Sequence, residues 1–517
     1  MLNYTFNKNK ISSPLYVQLY EFIRSDIMSG RLPADTLLPS KRALSQQLGI
    51  SVLTVENAYG QLMSEGYIYS RPRRGFFVSD MNPGGYRLNA WQRDAAVSKH
   101  APLPDDVLTR DMAACMTLTD PVFSGEQTTL QEKASTGGKR PGREIIADFS
   151  SNSASPDSFP FSVWARLTRQ VLSGEQTTLM TNSPSMGLPQ LRAAIAAYLR
   201  DFRGIDVSPE SIVIGAGTEV LHLLLIQLIG AEKVYATENP GYRKLSRLYE
   251  TYPVKSRRIP IDGSGIIVDE LRRHGVDVIH TTPSHHFPTG ITMPIGRRLE
   301  LLGWAGESNM RYIIEDDYDS ELRLSGRPIP SLSSIDKSRR VIYMNTFTKT
   351  LASTIRISYM VLPPELLERY RERMTFYSCT VSTFEQLTLA RFIEGGFYEK
   401  HINRMRTAAR KKRDLLLKEI SSSPLSQISE IHEENAGMHF IIHISAARPD
   451  FLQQLAERGV ILQPLSWFGE GDSGSYLINY SSVSEATIPE AIHIIAKCAS
   501  MQHSRTARGS CAPDARR

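Results

Sequence analysis

The stretch NTFTKTLASTIR, residues 345–356, sets the hydroxyls of Thr346 and Thr348 beside Lys349, with Arg356 a short way downstream. Two readings fit it. One is a surface loop with solvated charges. The other is a pocket for a phosphorylated aldehyde, in which the lysine amine is the covalent anchor and the hydroxyls and arginine hold the phosphate. The run before it, VIYMNTF, is short and β-branched, so Lys349 is placed just past a strand.

A pyridoxal phosphate pocket has further needs, and each can be sought separately. A carboxylate at the pyridine nitrogen keeps the ring protonated, the better electron sink. EDDYDSE closes the strand-like run RYIIEDD and offers Asp316, with Tyr318 on the same side if the chain stays extended. GAGTEVL ends another strand and opens a helix, so the amides of Gly217 and Thr218 and the Thr218 hydroxyl add an anion site. Each piece has a plain counterpart. Asp316, Asp317, Asp319 and Glu321 could bind Mg²⁺ or simply cover a strand end.

Outward from this region, residues 147–500 alternate strand-like runs such as SIVIGAG, KVYAT and DVIHTTPS with amphipathic helices. That alternation implies a mainly parallel α/β sheet with ligands at its carboxyl edge. GMHFIIHI and YLINYSSV suggest a smaller α+β subdomain. Residues 81–146 are rich in Gly, Pro, Ser and Thr and read as a flexible linker, while 501–517 read as a disordered tail. SGEQTTL occurs at 124–130 and again at 173–179 without a repeat period around it, and no function is assigned to it.

Residues 1–80 form a separate module. Tyr16, Leu19, Tyr20, Ile23 and Ile27 recur at helical spacing, Ser40 caps a second helix and Ser51 a third, and GYIYSRPRRGFFVSD gives two strands around a turn. The whole reads as a winged helix-turn-helix. Lys41 and Arg42 at one helix start, and Arg71, Arg73 and Arg74 in the wing, suit phosphate contacts, with the third helix entering a major groove. A winged helix used only for protein contacts is the alternative.

With 517 residues, 41% hydrophobic and 22% charged, the chain has room for two or three globular domains. A net charge of +6 is too small to argue for polyanion binding by itself. Four scattered cysteines without CxxC argue against a disulfide framework or structural zinc. The polar start MLNYTFNKNK lacks a signal-peptide core, and VLHLLLIQLIGA is too short to span a bilayer, so a cytoplasmic protein is expected.

SPLYVQLYEFIRSDIMSGRL, LLPSKRALSQQLGIS, TVENAYGQLMSEGYI and RGFFV together resemble the GntR-type DNA-binding domain. The family commonly has an arginine after the serine that caps the recognition helix. Val52 stands there, followed by Leu53, so base reading would be altered or pass to Thr54, Glu56, Asn57 and the wing, with Ser51 also counted among the DNA-binding residues. SPSMGLPQLRAAIAAYL, GAGTEVL, ENPGY, PSHHFPTG, EDDYDSE and TFTKTLASTIRISYMVLP follow the order of fold type I aminotransferases. The combination resembles the MocR subfamily of bacterial transcription regulators over nearly the whole chain.

The resemblance implies that Lys349 bonds the aldehyde, Asp316 meets the pyridine nitrogen, and Tyr318 meets the ring's phenolic oxygen. Arg356, Thr346 and Thr348 would hold the phosphate, with Tyr242 near it. His285 or His286 would face the ring or be structural. It further implies a double-stranded DNA operator, a homodimer, and an effector that is pyridoxal phosphate itself or an amine. Aminotransferases carry a small-domain arginine that clamps the substrate carboxylate bidentately, but YLINYSSVSEATIPEAI puts Ser482 at that position. Arg243 or Lys244 could supply the clamp instead. Two alternatives remain: a working aminotransferase with a vestigial head, and a DNA-binding protein whose large domain is only a dimerisation scaffold.

Overall fold

A computed structural model of the chain describes Tyr4, Phe6 and residues 14–71, 74–80, 145–151, 158–324, 330–432, 437–445, 449–469 and 474–500. Arg73, most of the expected linker, the first SGEQTTL copy and the expected tail lie outside the described residues.

The N-terminal part has helices α1 (Leu15–Met28), α2 (Lys41–Leu48) and α3 (Val52–Ser64), with a three-stranded sheet in the order β1 (Leu37–Leu38), β3 (Gly75–Val78), β2 (Ile68–Arg71). The helical stripes meet in one core of Leu19, Ile23, Leu44, Val55, Ala58, Tyr59 and Leu62. Local chemistry sets the boundaries. The Ser40 hydroxyl accepts from the Ala43 amide at 3.2 Å, and Ser51 accepts from the Thr54 amide at 3.0 Å. Gly49, at φ 62°, ends α2 in the left-handed conformation that a glycine adopts without strain.

The large part is built on an eight-stranded sheet. Its spatial order is β5 (Ile212–Gly215), β12 (Ser358–Val361), β11 (Val341–Thr346), β10 (Tyr312–Asp316), β9 (Val278–Thr281), β6 (Val234–Asn239), β7 (Lys255–Asp262) and β8 (Gly265–Ile266). The five strands from β11 to β7 run parallel, while β12 and β8 are antiparallel to their neighbours. Strands β9 to β12 are buried along their length because helices cover both faces, with separate cores on either side. Register then fixes the site: Thr346 pairs with Ser358, which pairs with Gly215, and Asp316 pairs with Met344 on β11. Three motifs far apart in sequence therefore open on one sheet edge.

A further core lies under an antiparallel sheet ordered β13 (Ser429–His432), β14 (His439–Ile444), β17 (Ser475–Asn479), β16 (Gln463–Pro464). The 26-residue helix Phe397–Ser422 and the helix Ile488–Ser500 pack on it. A short parallel pair, β4 (Ala147–Asp148) with β15 (Val460–Ile461), ties the start of the large part to this subdomain. The second SGEQTTL copy ends the helix Phe161–Gly174 and forms the helix Gln176–Leu179, where Glu175 pairs with Arg391 at 2.7 Å. Among the described residues no helix is long and apolar enough to cross a membrane.

Candidate functional site

Lys349 follows β11 in a turn and opens on a cavity of about 570 Å³. Tyr318, Asp319, Phe287, His439 and Ser482 line the same cavity. The surrounding protein strips water from the ammonium and pushes the Lys349 pKa down to about 8, against the opposing pull of Asp319 and Asp316. A lysine so placed is a usable nucleophile near neutral pH.

Asp316, at the end of β10, is buried, and its Oδ2 lies 3.2 Å from His280 Nε2. The His280 ring contacts His222, whose Nδ1 shares a 3.1 Å hydrogen bond with the Tyr249 hydroxyl. Burial, and then His280, holds His222 well below the usual histidine range, so this ring stays neutral. The chain Tyr249–His222–His280 thus fixes one oxygen of Asp316. The other, Oδ1, is buried and has no hydrogen-bond partner among the described residues. His280 and His222 were missed in the sequence. The signal was there, as single histidines inside the apolar runs DVIHTTPS and VLHLLLIQLIGA.

A narrow recess beside Asp316 is lined by Thr218, Glu219, Tyr242, Lys244 and His280. Gly217, at φ 96°, precedes the helix Thr218–Ile229, and a Cβ there would sit 2.3 Å from Arg356 Nη2. Only glycine permits that approach. Arg356 is 2.6 Å from Glu219 Oε2, and Lys244 pairs with the other Glu219 oxygen. The Thr346 hydroxyl donates to Thr348 Oγ1 at 2.9 Å and accepts from Ser358 Oγ at 2.8 Å, while Thr348 Oγ1 donates to the Ile355 carbonyl at 3.3 Å. Of the expected phosphate set, Gly217 meets Arg356, Thr346 meets Thr348, and Thr218 and Tyr242 share the recess, with Glu219 added as a carboxylate beside the cations.

On the opposite wall, the Tyr318 hydroxyl is 3.4 Å from His285 Nδ1, which lies 2.6 Å from Asp319 Oδ2. The His285 ring stacks on His439 at 4.4 Å. Burial first, then Asp319 and Asp316, pushes the Tyr318 phenol far above its ordinary range, so it remains a hydrogen-bond donor. His286 is turned to other partners: its Nδ1 bonds Thr289 Oγ1 at 2.6 Å, and its Nε2 lies 3.4 Å from Glu238. Phe287, unnoticed in the sequence, makes edge contacts with both Tyr242 and Tyr318 and so joins the recess to the cavity. His285, Asp319 and His439 bring ligating atoms within 4.8 Å of one another. The His285–Asp319 hydrogen bond already engages two of them.

The other acids of EDDYDSE have protein partners of their own. Asp317 pairs with Arg203 at 2.8 Å, Glu321 accepts from Asn345 at 3.1 Å, and Glu315 accepts from the Leu332 and Ser333 amides. Ser482 lines the same cavity as Lys349. The two suggested substitutes for the clamp are engaged by other groups in this structure. The Arg243 guanidinium stacks on Trp467 at 4.3 Å and donates to the Trp467 carbonyl, and Lys244 is held by Glu219. Beside Lys349, Lys412 lines the cavity and donates to the Ser481 carbonyl at 3.2 Å.

In the N-terminal part, Ser51, Asn57, Arg42 and Arg74 are exposed. Ser51 and Thr54 share a 2.7 Å hydroxyl contact as part of the helix cap. Lys41 is held by Glu56 at 2.6 Å, and Arg71 by Asp35 at 3.2 Å while lying over Phe77. Val52 and Leu53 are 43% and 63% exposed at the start of α3, an apolar pair suited to thymine methyl groups.

Two family models match this chain: bacterial regulatory proteins of the gntR family over residues 15–78, and aminotransferase class I and II over residues 144–495. It is 37% identical to the uncharacterized HTH-type transcriptional regulator YhdI of Bacillus subtilis, over 93% of this chain and 95% of the relative. It is 31% identical to the probable rhizopine catabolism regulatory protein MocR of Rhizobium meliloti, over 93% and 92%. Among solved structures it is similar to an archaeal alanine:glyoxylate aminotransferase, with TM-score 0.64 and 28% identity, covering 72% of this chain and 95% of that one.

Proposed function

The chain belongs to the MocR subfamily of GntR-type regulators, and from that membership we propose a transcription regulator that binds pyridoxal 5'-phosphate through Lys349. It senses the cofactor itself or an amine that reacts with it. The observation that carries this reading is the wall of one cavity, on which Lys349 opens and which Ser482 also lines; by the resemblance Ser482 takes the place of the arginine that catalysis on α-amino acids calls for. A hydroxyl cannot offer two parallel charged donors to a carboxylate, so turnover of ordinary amino acids is disfavoured.

The residues present fit the cofactor. The unpartnered Oδ1 of Asp316 supplies the acceptor that a protonated ring nitrogen requires. Gly217, Thr218, Arg356, Thr346 and Thr348 would hold the phosphate, with Tyr242 beside it, and Tyr318 would donate to the phenolic oxygen. The bound group supplies an aldehyde that takes up amines reversibly. Because only the neutral amine of Lys349 attacks an aldehyde, the rate of cofactor incorporation should rise with pH and level off above about 8. A lysine at the ordinary value of ~10.4 would keep accelerating through pH 9. Growth of the visible band after mixing, followed from pH 6.5 to 9.5, decides between them.

Lys412 is the group we assign to an effector's anionic end. In Lys412→Gln the cofactor band should persist, while spectral responses to taurine or GABA weaken about tenfold or more, the loss of one charge-assisted contact. An unaltered response would remove Lys412 from recognition.

DNA contacts would come from Lys41, Arg42, Arg71, Arg73 and Arg74 on phosphates, with Ser51, Thr54, Asn57 and the exposed Val52 and Leu53 at base edges. A homodimer, expected of this fold, would present two such heads. The test is a footprint of the cofactor-loaded protein on DNA upstream of its own or a neighbouring gene. Protection supports the regulator, whereas no protection together with steady transamination of an amino acid would favour an enzyme.

A further inference from the structure

The N-terminal head does not rest on an arbitrary face of the large domain. The amide of Ile295 donates to the carbonyl of Glu65, at the end of α3, at 3.0 Å. Gly66 (φ 77°) comes so close to Pro294 that a Cβ would sit 2.7 Å from the proline Cβ. Ile295 is 3% exposed and buried in the head's own core, with Leu299 and Ile335 packed against it. This seat is the start of the helix Ile295–Gly306.

That helix begins where the segment Pro283–Pro294 ends, and the segment is a closed excursion. Its two ends are joined by the Met293 amide donating to the Pro283 carbonyl at 2.9 Å. Arg298, 1% exposed, clamps the same ends, donating to the Met293 carbonyl at 2.8 Å and the Pro283 carbonyl at 2.7 Å. Within the excursion, His285 bonds Asp319 and stacks on His439, and Phe287 lines the cavity that holds Lys349. The side chain of Glu65 is buried in turn, accepting from Tyr20 at 2.6 Å, so the far side of the contact belongs to the head's core.

We propose that Pro283–Pro294 is the coupling element between ligand cavity and DNA-binding head: its tip is cavity wall, its base is the seat on which the head docks. A ligand that moves Phe287 or His285 moves a loop whose ends Arg298 holds together, and the displacement reaches Pro294 and Ile295. α3 keeps its base-reading end exposed in the docked arrangement, so docking sets the orientation of the reading helix and does not cover it. Closely packed contacts favour two discrete arrangements over continuous deformation, which is what a linkage between sites needs. The inference rests on the proposed sensing role.

The test uses the full chain and pyridoxal phosphate as the probe. Leu299→Ser weakens the seat at a partly buried position away from the cavity. The variant should load cofactor with the wild-type spectrum, while the change in DNA affinity on loading falls from about tenfold to about twofold or less. A wild-type response in Leu299→Ser overturns the coupling. Hydrogen exchange on the wild-type protein gives a second reading independent of that variant's folding. Loading should change exchange in peptides covering both 283–299 and 62–68, and a change confined to cavity peptides overturns the proposal. If wild-type DNA affinity ignores the cofactor altogether, the sensing role fails, and the exchange result still reports whether the cavity and the seat are linked.

Discussion

Lys349→Ala should abolish the cofactor band that borohydride fixes to the purified protein, with no residual covalent label. Tyr318, Asp316 and the Thr346–Thr348–Arg356 set remain in the variant, so weak, dialysable binding should persist while the covalent attachment is lost. Absorbance before and after reduction, and the mass of the reduced protein, measure this directly. The specificity comes from the position. Lys349 combines enclosure, which brings its pKa to about 8, with an open face on the cavity. Lys412, the other cavity lysine, is engaged by the Tyr480 and Ser481 carbonyls, and Lys412→Gln should leave the covalent label intact. A band that survives in Lys349→Ala would reassign the anchor.

The largest stability effect is expected at Arg203→Met. Arg203 and Asp317 form an ion pair at 2.8 Å with side chains 1% and 0% exposed. Asp317 also accepts from Tyr343 at 2.6 Å and Ser320 at 2.8 Å. Removing the guanidinium leaves a carboxylate buried without its counter-charge, a cost of about 3–5 kcal/mol. The midpoint of urea unfolding should fall accordingly. Asp317→Asn added to Arg203→Met should recover part of the loss, because the amide carries no charge to desolvate. A midpoint within experimental error of wild type would mean that Arg203 does not neutralise Asp317. Asp317 adjoins Asp316, so the same pair fixes the strand end from which Asp316 projects.

Most of the fold was legible because its signals are local. Ser40 and Ser51 announce helix starts, alternating runs announce strands, and the order of GAGTEVL, EDDYDSE and TFTKTLASTIR announces the sheet edge they share. The residues proposed to hold the cofactor come from those same local motifs. What the sequence did not reveal depends on distance in space. His280 and His222 support Asp316 from two different elements, and nothing in either local motif points to the other. The roles of Arg243 and Lys244 could not be read either: their positions in the chain suggested a clamp, but Trp467 and Glu219, distant in sequence, hold them. The separate tasks of the EDDYDSE acids were hidden likewise, since Arg203, His285 and Asn345 lie on other elements. The seat of the head on Ile295 joins segments more than two hundred residues apart and has no signature in either.

The central claim is that a cofactor cavity governs a DNA-binding head in one chain. Its most direct test is the affinity of the full chain for an operator fragment found by footprinting, measured with and without pyridoxal phosphate at one fixed salt concentration. The account predicts a change of about tenfold in affinity on loading, absent in Lys349→Ala. Equal affinity of the loaded and unloaded wild-type protein would contradict it.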